Sequence, residues 1–179
     1  MTPRVWAVRG GMTLWVCAML FLGAWTMAKH NGIRPLPDEL QPLDDMVSVY
    51  GDDVMLHILD ARCSCTRTLT DALVRQAPVQ QGHEQVVFIG DDDASVRKLS
   101  TRYPVQHLTS QELLARTGVD VAPVAVVRRR GQLVYVGGYY RTPSPVHPQL
   151  DALVAVLDDA ETLRPLPIYG CSTDENALW

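Results

Sequence analysis

From residue 54 onward the apolar positions switch repeatedly between a strand's run and a helix's stripe. Val54–Leu59 and Val86–Ile89 are short, nearly continuous apolar runs of strand length, the pattern of strands buried on both faces. Between them Leu69, Ala72, Leu73 and Ala77 share one face of a predicted helix over 65–77, which Pro78 stops. Asp91, Asp92 and Asp93 can cap a helix carrying Val96 and Leu99. Val105–Leu108 predicts a small strand. Thr109 and Glu112 have capping-box spacing ahead of Leu113 and Leu114, and Gly118 ends that helix. Val124–Val127 and Leu133–Val136 predict a hairpin turning near Arg130-Gly131 and closed by Gly137 and Gly138. Leu150, Leu153, Val154 and Leu157 mark a last amphipathic helix, with Pro148 near its start. The predicted order is β-α-β-α-β-α-β-β-α, an α/β fold, and no internal repeat interrupts it.

Ahead of this lies a different pattern. Residues 11–28 carry no charge, and a spanning helix needs about 20 apolar residues. The run has no polar face of the kind a soluble helix shows. Arg4 and Arg9 precede it, while Lys29 and Arg34 follow it, diluted by Asp38 and Glu39. That balance predicts a cytoplasmic N-terminus and an outward-facing remainder. A cleaved signal peptide would end in a small-x-small site, of which Thr26-Met27-Ala28 is a poor version. Residues 29–45 hold three prolines among polar residues and read as a linker. Residues 46–50 read as a short helix or strand packed on the domain. The expected organisation is a cytoplasmic N-terminus (1–10), a transmembrane helix (11–28), a linker (29–45), an α/β domain (46–163) and a proline-bearing tail (164–179).

Composition changes this picture little. A chain of 179 residues suits one domain plus an appendage. A net charge of −4 indicates neither a nucleic-acid partner nor an acidic tail. The cysteines add more. There are four, at 17, 63, 65 and 171, too few for a disulfide scaffold in a chain of this length. Cys17 sits inside the apolar run, without the small residues that precede a lipid-modified cysteine.

Cys63-Ser64-Cys65 falls where the first strand gives way to a helix. Helix N-termini expose unpaired N–H groups and partial positive charge, which stabilise a thiolate. Arg62 and Arg67 add positive charge. The thiolate is the form that attacks a disulfide. About 60 residues on, Val121-Ala122-Pro123 precedes the hairpin. Proline takes a cis peptide at modest cost and is tolerated at a strand's start.

A strand, a paired-cysteine turn opening a helix, βα units, a Val-x-Pro before a glycine-closed hairpin and a last helix together resemble the thioredoxin superfamily over residues 46–163. The resemblance implies a three-layer fold, a central mixed sheet with helices on both faces. It also implies that Cys63 is the exposed nucleophile, that Cys65 resolves the mixed disulfide, and that a cis Pro123 borders the substrate groove with Arg62, Ser64 and Ala122. The chain also resembles an uncharacterised bacterial group of membrane-anchored thioredoxin-like proteins that combine Cys-x-Cys with a Gly-Cys near the C-terminus, here Gly170-Cys171. Two features depart from the superfamily pattern: the spacer is one residue rather than two, and Arg62 stands where a tryptophan is usual.

The expected function is thiol–disulfide exchange with a protein partner at the outer face of a bacterial inner membrane, in the periplasm, with no organic cofactor. In the thioredoxin topology the last helix ends away from the active site, so the tail must run back to reach it. From Leu163 to Cys171 is eight residues, about 26–29 Å fully extended, so Cys171 can approach Cys63 as a third thiol. Two other readings stay open. One is a copper-binding metallochaperone of Sco-like type, since soft thiolates select copper(I); His57, His83, His107 and His147 are its candidate ligands, none with diagnostic spacing. The other is a redox-inactive interaction module.

Overall fold

The computed structural model describes residues 3–30, 33–76, 83–142, 147–158 and 163–173. It forms two units, Met1–Gly32 and Ile33–Trp179. The first is one helix, α1 (Pro3–His30). Leu14, Leu20, Phe21 and Leu22 on it are each more than half exposed. Among the described residues, no helix is long and apolar enough to cross a membrane; the side chains described on α1 are those of residues 11–25.

The second unit runs β1 (Ile33–Arg34), α2 (Gln41–Ser48), β2 (Val54–Asp60), α3 (Ser64–Arg75), β3 (Glu84–Ile89), α4 (Asp93–Ser100), β4 (Val105–Leu108), α5 (Ser110–Thr117), β5 (Val121–Ala122), β6 (Val124–Arg129), β7 (Gln132–Gly137), α6 (Leu150–Leu157), β8 (Ile168–Tyr169) and β9 (Cys171–Ser172). The central sheet has the order β4-β3-β2-β6-β7. β2–β3 and β3–β4 are parallel, whereas β2–β6 and β6–β7 are antiparallel. β2 lies in the middle and all of its residues are buried. Side chains alternate across a strand, so β2 divides the core in two. Met55 and Leu59 pack with Phe88, Val127, Leu69 and Leu73 of α3, and Leu150 and Leu153 of α6. Leu56 and Ile58 pack with Val87, Val126, Leu43 and Val47 of α2, and Leu113 of α5. The protein is therefore an α/β domain with a central mixed sheet covered by helices on both faces.

Local signals explain most of the element boundaries. Asp92 caps α4 by accepting from the Ala94 and Ser95 N–H groups. The Thr109–Glu112 capping box forms at α5, and Gly118 closes that helix at φ 69°. Arg130 (φ 50°) and Gly131 (φ 73°) make the hairpin turn. Its basic run is engaged internally. Arg128 donates to Asp44 at 3.0 Å and to the Gly131 carbonyl at 2.9 Å, and Arg129 donates to the Val156 carbonyl at 2.7 Å.

Three stretches differ from the sequence expectation. Residues 41–45, read as the end of a linker, belong to α2, because Pro42 suits a helix's first turn and Leu43 and Val47 are fully buried. α3 starts at Ser64 and is described as far as Arg75; Ala77 and Pro78, expected to end it, lie outside the described residues. The tail contributes β8 and β9, which pair with β1 and β5. Residues 174–179 lie outside the described part.

Candidate functional site

The site is built at the C-terminal end of β2. The chain leaves the sheet at Asp60, which is 1% exposed, and turns through Ala61 and Arg62 into α3. Cys63 is the N-cap of α3 (φ −82°, ψ 122°), which leaves Cys65 in the first turn. The turn is fastened locally. The Cys63 N–H donates to the Asp60 carbonyl at 3.1 Å, and the Thr66 N–H donates to the Cys63 carbonyl at 3.0 Å. Arg62 joins three segments. Its guanidinium donates to Asp60 Oδ2 at 2.8 Å, to Ser110 Oγ of α5 at 2.9 Å and to the Thr173 carbonyl of the tail at 2.7 Å.

The tail reaches the site as a strap. Leu166 donates to Tyr135 Oη at 3.3 Å and accepts from the Gly138 N–H at 2.9 Å. β8 then pairs antiparallel with β1, Tyr169 opposite Ile33. β9 pairs antiparallel with β5, so that Cys171 lies opposite Ala122 and Ser172 opposite Val121. The Thr173 N–H donates to the Asp120 carbonyl at 2.6 Å. The Ala122–Pro123 peptide is cis, and Gly170 is pressed against it. A Cβ on Gly170 would overlap the Ala122 carbonyl and stand 2.7 Å from its carbon. Gly170→Ala is therefore expected to lift Cys171 from its register. Chymotrypsin should then cleave the strap after Tyr169 at least about tenfold faster, through a larger population of locally open chain. Unchanged cleavage would mean that the close approach does not hold the strap.

Register and turn thus bring Cys63, Cys65, Cys171, Arg62, Ala122 and Pro123 into one neighbourhood. Ser64 opens α3 with its side chain exposed. Cys63 is 2% exposed, whereas Cys65 and Cys171 are partly exposed. All three are free thiols. The Cys171 and Cys65 thiols donate to the Cys63 sulfur, and the backbone N–H groups of Cys65 and Cys171 assist. These hydrogen bonds outweigh burial and hold the Cys63 thiol far below its ordinary range. The same contacts, with burial, push Cys65 and Cys171 well above theirs. The arrangement biases Cys63 toward its thiolate and Cys65 and Cys171 toward their protonated thiols.

Sequence reasoning missed one neighbour. Tyr140 is 2% exposed, and its hydroxyl has no hydrogen-bond partner among the described residues. Burial raises its pKa, and so do Cys65 and Cys63. It follows the hairpin, where no periodicity marks it.

On the β3–β4 side of the cysteines lies a groove of about 700 Å3, with Arg62, Arg67, Asp91, Asp92, His107 and Glu112 among its lining residues. Of the candidate histidines, His107 lines this groove, while His57 and His83 are engaged elsewhere. His57 is fully buried, with Nδ1 2.8 Å from Tyr139 Oη and Nε2 3.5 Å from Glu84 Oε2. His83 Nδ1 lies 2.7 Å from the Asp53 carbonyl. His107 lies against Phe88. Among the described residues, no group of three or more His, Cys, Asp or Glu side chains is disposed to hold a metal ion.

No protein-family model matches the chain, and no curated protein matches it. Among the solved structures similar in fold are two uncharacterised bacterial proteins. One is a hypothetical protein from Sinorhizobium meliloti 1021, with 18% identity and a TM-score of 0.52 over 81% of this chain and 92% of that chain. The other is an uncharacterised conserved protein from Geobacillus kaustophilus, with 19% identity and a TM-score of 0.52 over 69% of this chain and 77% of that chain. At such identities the likeness concerns the fold alone.

Proposed function

We propose that this protein is a thioredoxin-like thiol–disulfide oxidoreductase, tethered by its N-terminal segment to a bacterial inner membrane and acting on protein thiols or disulfides outside the cytoplasm. The observation that carries the reading is the Cys63 sulfur, held at the N-terminus of α3 and accepting from two other thiols. A stabilised thiolate is the reactive species in disulfide exchange and also its best leaving group. The fold supports the assignment through its sheet order, the cysteine turn after β2 and the cis proline before the hairpin. The tether reading rests on the uncharged run 11–28, the basic flank before it and the exposed apolar side chains of α1.

The lowered Cys63 pKa fixes the sign of a pH test. A group whose pKa is depressed keeps its charge as pH falls, so the reduced protein should retain the ultraviolet thiolate absorbance of one cysteine at about pH 6, where an ordinary thiol is protonated. Cys63→Ser should remove that signal. A protein whose thiolate absorbance grows in only above about pH 8 would lack the stabilised sulfur the reading needs. Topology has its own test: a reporter enzyme that works only in an oxidising compartment, fused to the C-terminus, should be active in intact cells. A fusion made at full length but inactive in intact cells would overturn the orientation.

A further inference from the structure

The cysteine at the N-cap of α3 is the one a partner cannot easily reach. Cys63 is 2% exposed, while Cys65 and Cys171 on either side of it are partly open to solvent. Disulfide exchange needs access to the sulfur attacked as well as a good leaving thiolate. The strap that brings Cys171 is pinned on both sides, by the close fit of Gly170 on Ala122 and by the Arg62–Thr173 and Thr173–Asp120 hydrogen bonds. Cys171 is already partly open to solvent with those contacts in place, whereas Cys63 is not.

Building on the exchange reading, we infer that Cys171 is the sulfur that becomes bonded to the partner, and that Cys63 is the buried leaving and resolving thiol of a Cys63–Cys171 disulfide. This reverses the role that the first cysteine of the motif has by resemblance. Cys65 is the weaker candidate for the bond. It stands two residues from Cys63 in the same helical turn, so a Cys63–Cys65 bond closes a small ring, and disulfide geometry is specific enough to make that costly. Cys171 arrives on a separate strand and carries no such ring. Cys65 instead remains a donor to the Cys63 thiolate.

The cycle balances with a partner dithiol as the reductant. A partner thiolate attacks Cys171 Sγ of the oxidised protein; the Cys63–Cys171 bond breaks, its electron pair stays on Cys63 as thiolate, and a Cys171–partner disulfide forms. The partner's second thiolate then attacks its own sulfur in that bond. The partner leaves as a disulfide, and Cys171 takes a proton from water. Two electrons pass from partner to protein. Run backwards, the same steps reduce a partner disulfide.

Glutathione is the probe, used on the full-length chain in detergent, with acid quenching and peptide mass mapping. Oxidised wild-type protein given limiting reduced glutathione should carry its adduct on Cys171, at least about tenfold more than on Cys63. Reduced Cys63→Ala, given glutathione disulfide, should accumulate the adduct on Cys171. Reduced Cys171→Ala should acquire one on Cys63 at least about tenfold more slowly. Cys65→Ala should still oxidise to the Cys63–Cys171 bond. Adducts forming chiefly on Cys63 or Cys65, or a wild-type disulfide joining Cys63 to Cys65, would overturn the inference and leave the exchange reading standing. A wild-type protein that forms no intramolecular disulfide and no adduct would sink both.

Discussion

Cys63→Ser is expected to lower turnover of a disulfide substrate by at least about 100-fold, as removing one member of a group that acts as a unit does. Serine nearly preserves the side chain's shape at a position 2% exposed, so the fold should survive. What disappears is the thiolate that accepts hydrogen bonds from Cys171 and Cys65. The two remaining thiols lose the acceptor that holds their protons, and their pKa values move back toward the ordinary range. A single round of modification remains possible, but no disulfide with Cys63 can form to complete the cycle. Cys171→Ser should produce a loss of similar size, and Cys65→Ser a smaller one. Steady-state oxidation of glutathione, followed for the three variants and the wild type, measures this directly. A Cys63→Ser protein with near-normal turnover would remove Cys63 from the chemistry.

The largest stability effect is expected at a residue that takes no part in exchange. His57 is fully buried in β2, bonded to Tyr139 and close to Glu84. His57→Ala deletes an aromatic ring from a packed core and leaves Tyr139 one partner fewer. Losses of this kind cost about 3 kcal/mol or more, which corresponds to a fall of roughly 6–12 °C in Tm for a domain of this size. His107 is exposed, and His107→Ala should change stability by no more than about 0.5 kcal/mol. Thermal unfolding of the two variants side by side tests the contrast. Below its own transition, His57→Ala should still exchange thiols, because no thiol is among the ring's hydrogen-bond partners. A stable His57→Ala protein that has lost exchange would instead give His57 a direct role.

The main sheet and its helices were legible because each is specified by short-range pattern. β2 and β3 are buried on both faces and therefore read as apolar runs. α4 and α5 announce themselves by Asp92 and by the Thr109–Glu112 box. β5, β8 and β9 were not legible. Each has two residues, and each exists only because a distant segment offers a partner. α2 was hidden by its first residues, Gln41, Pro42, Asp44 and Asp45, which carry a linker's composition while Leu43 and Val47 do the packing. The cysteine turn could be read from its place between β2 and α3. That Cys171 could reach it followed from chain length alone, whereas the Cys171–Ala122 register, set by Gly170, is a long-range fit. The burial of Cys63 beside the partly exposed Cys65 and Cys171, on which the proposed division of labour rests, has no local signature at all.

The most direct test of the account is equilibration of the full-length protein with glutathione redox buffers, followed by mass mapping of the cysteines. The account predicts one intramolecular disulfide that contains Cys63, forming and breaking reversibly as the buffer potential is varied. Three thiols that stay reduced across that range, or that oxidise only between chains, would contradict it.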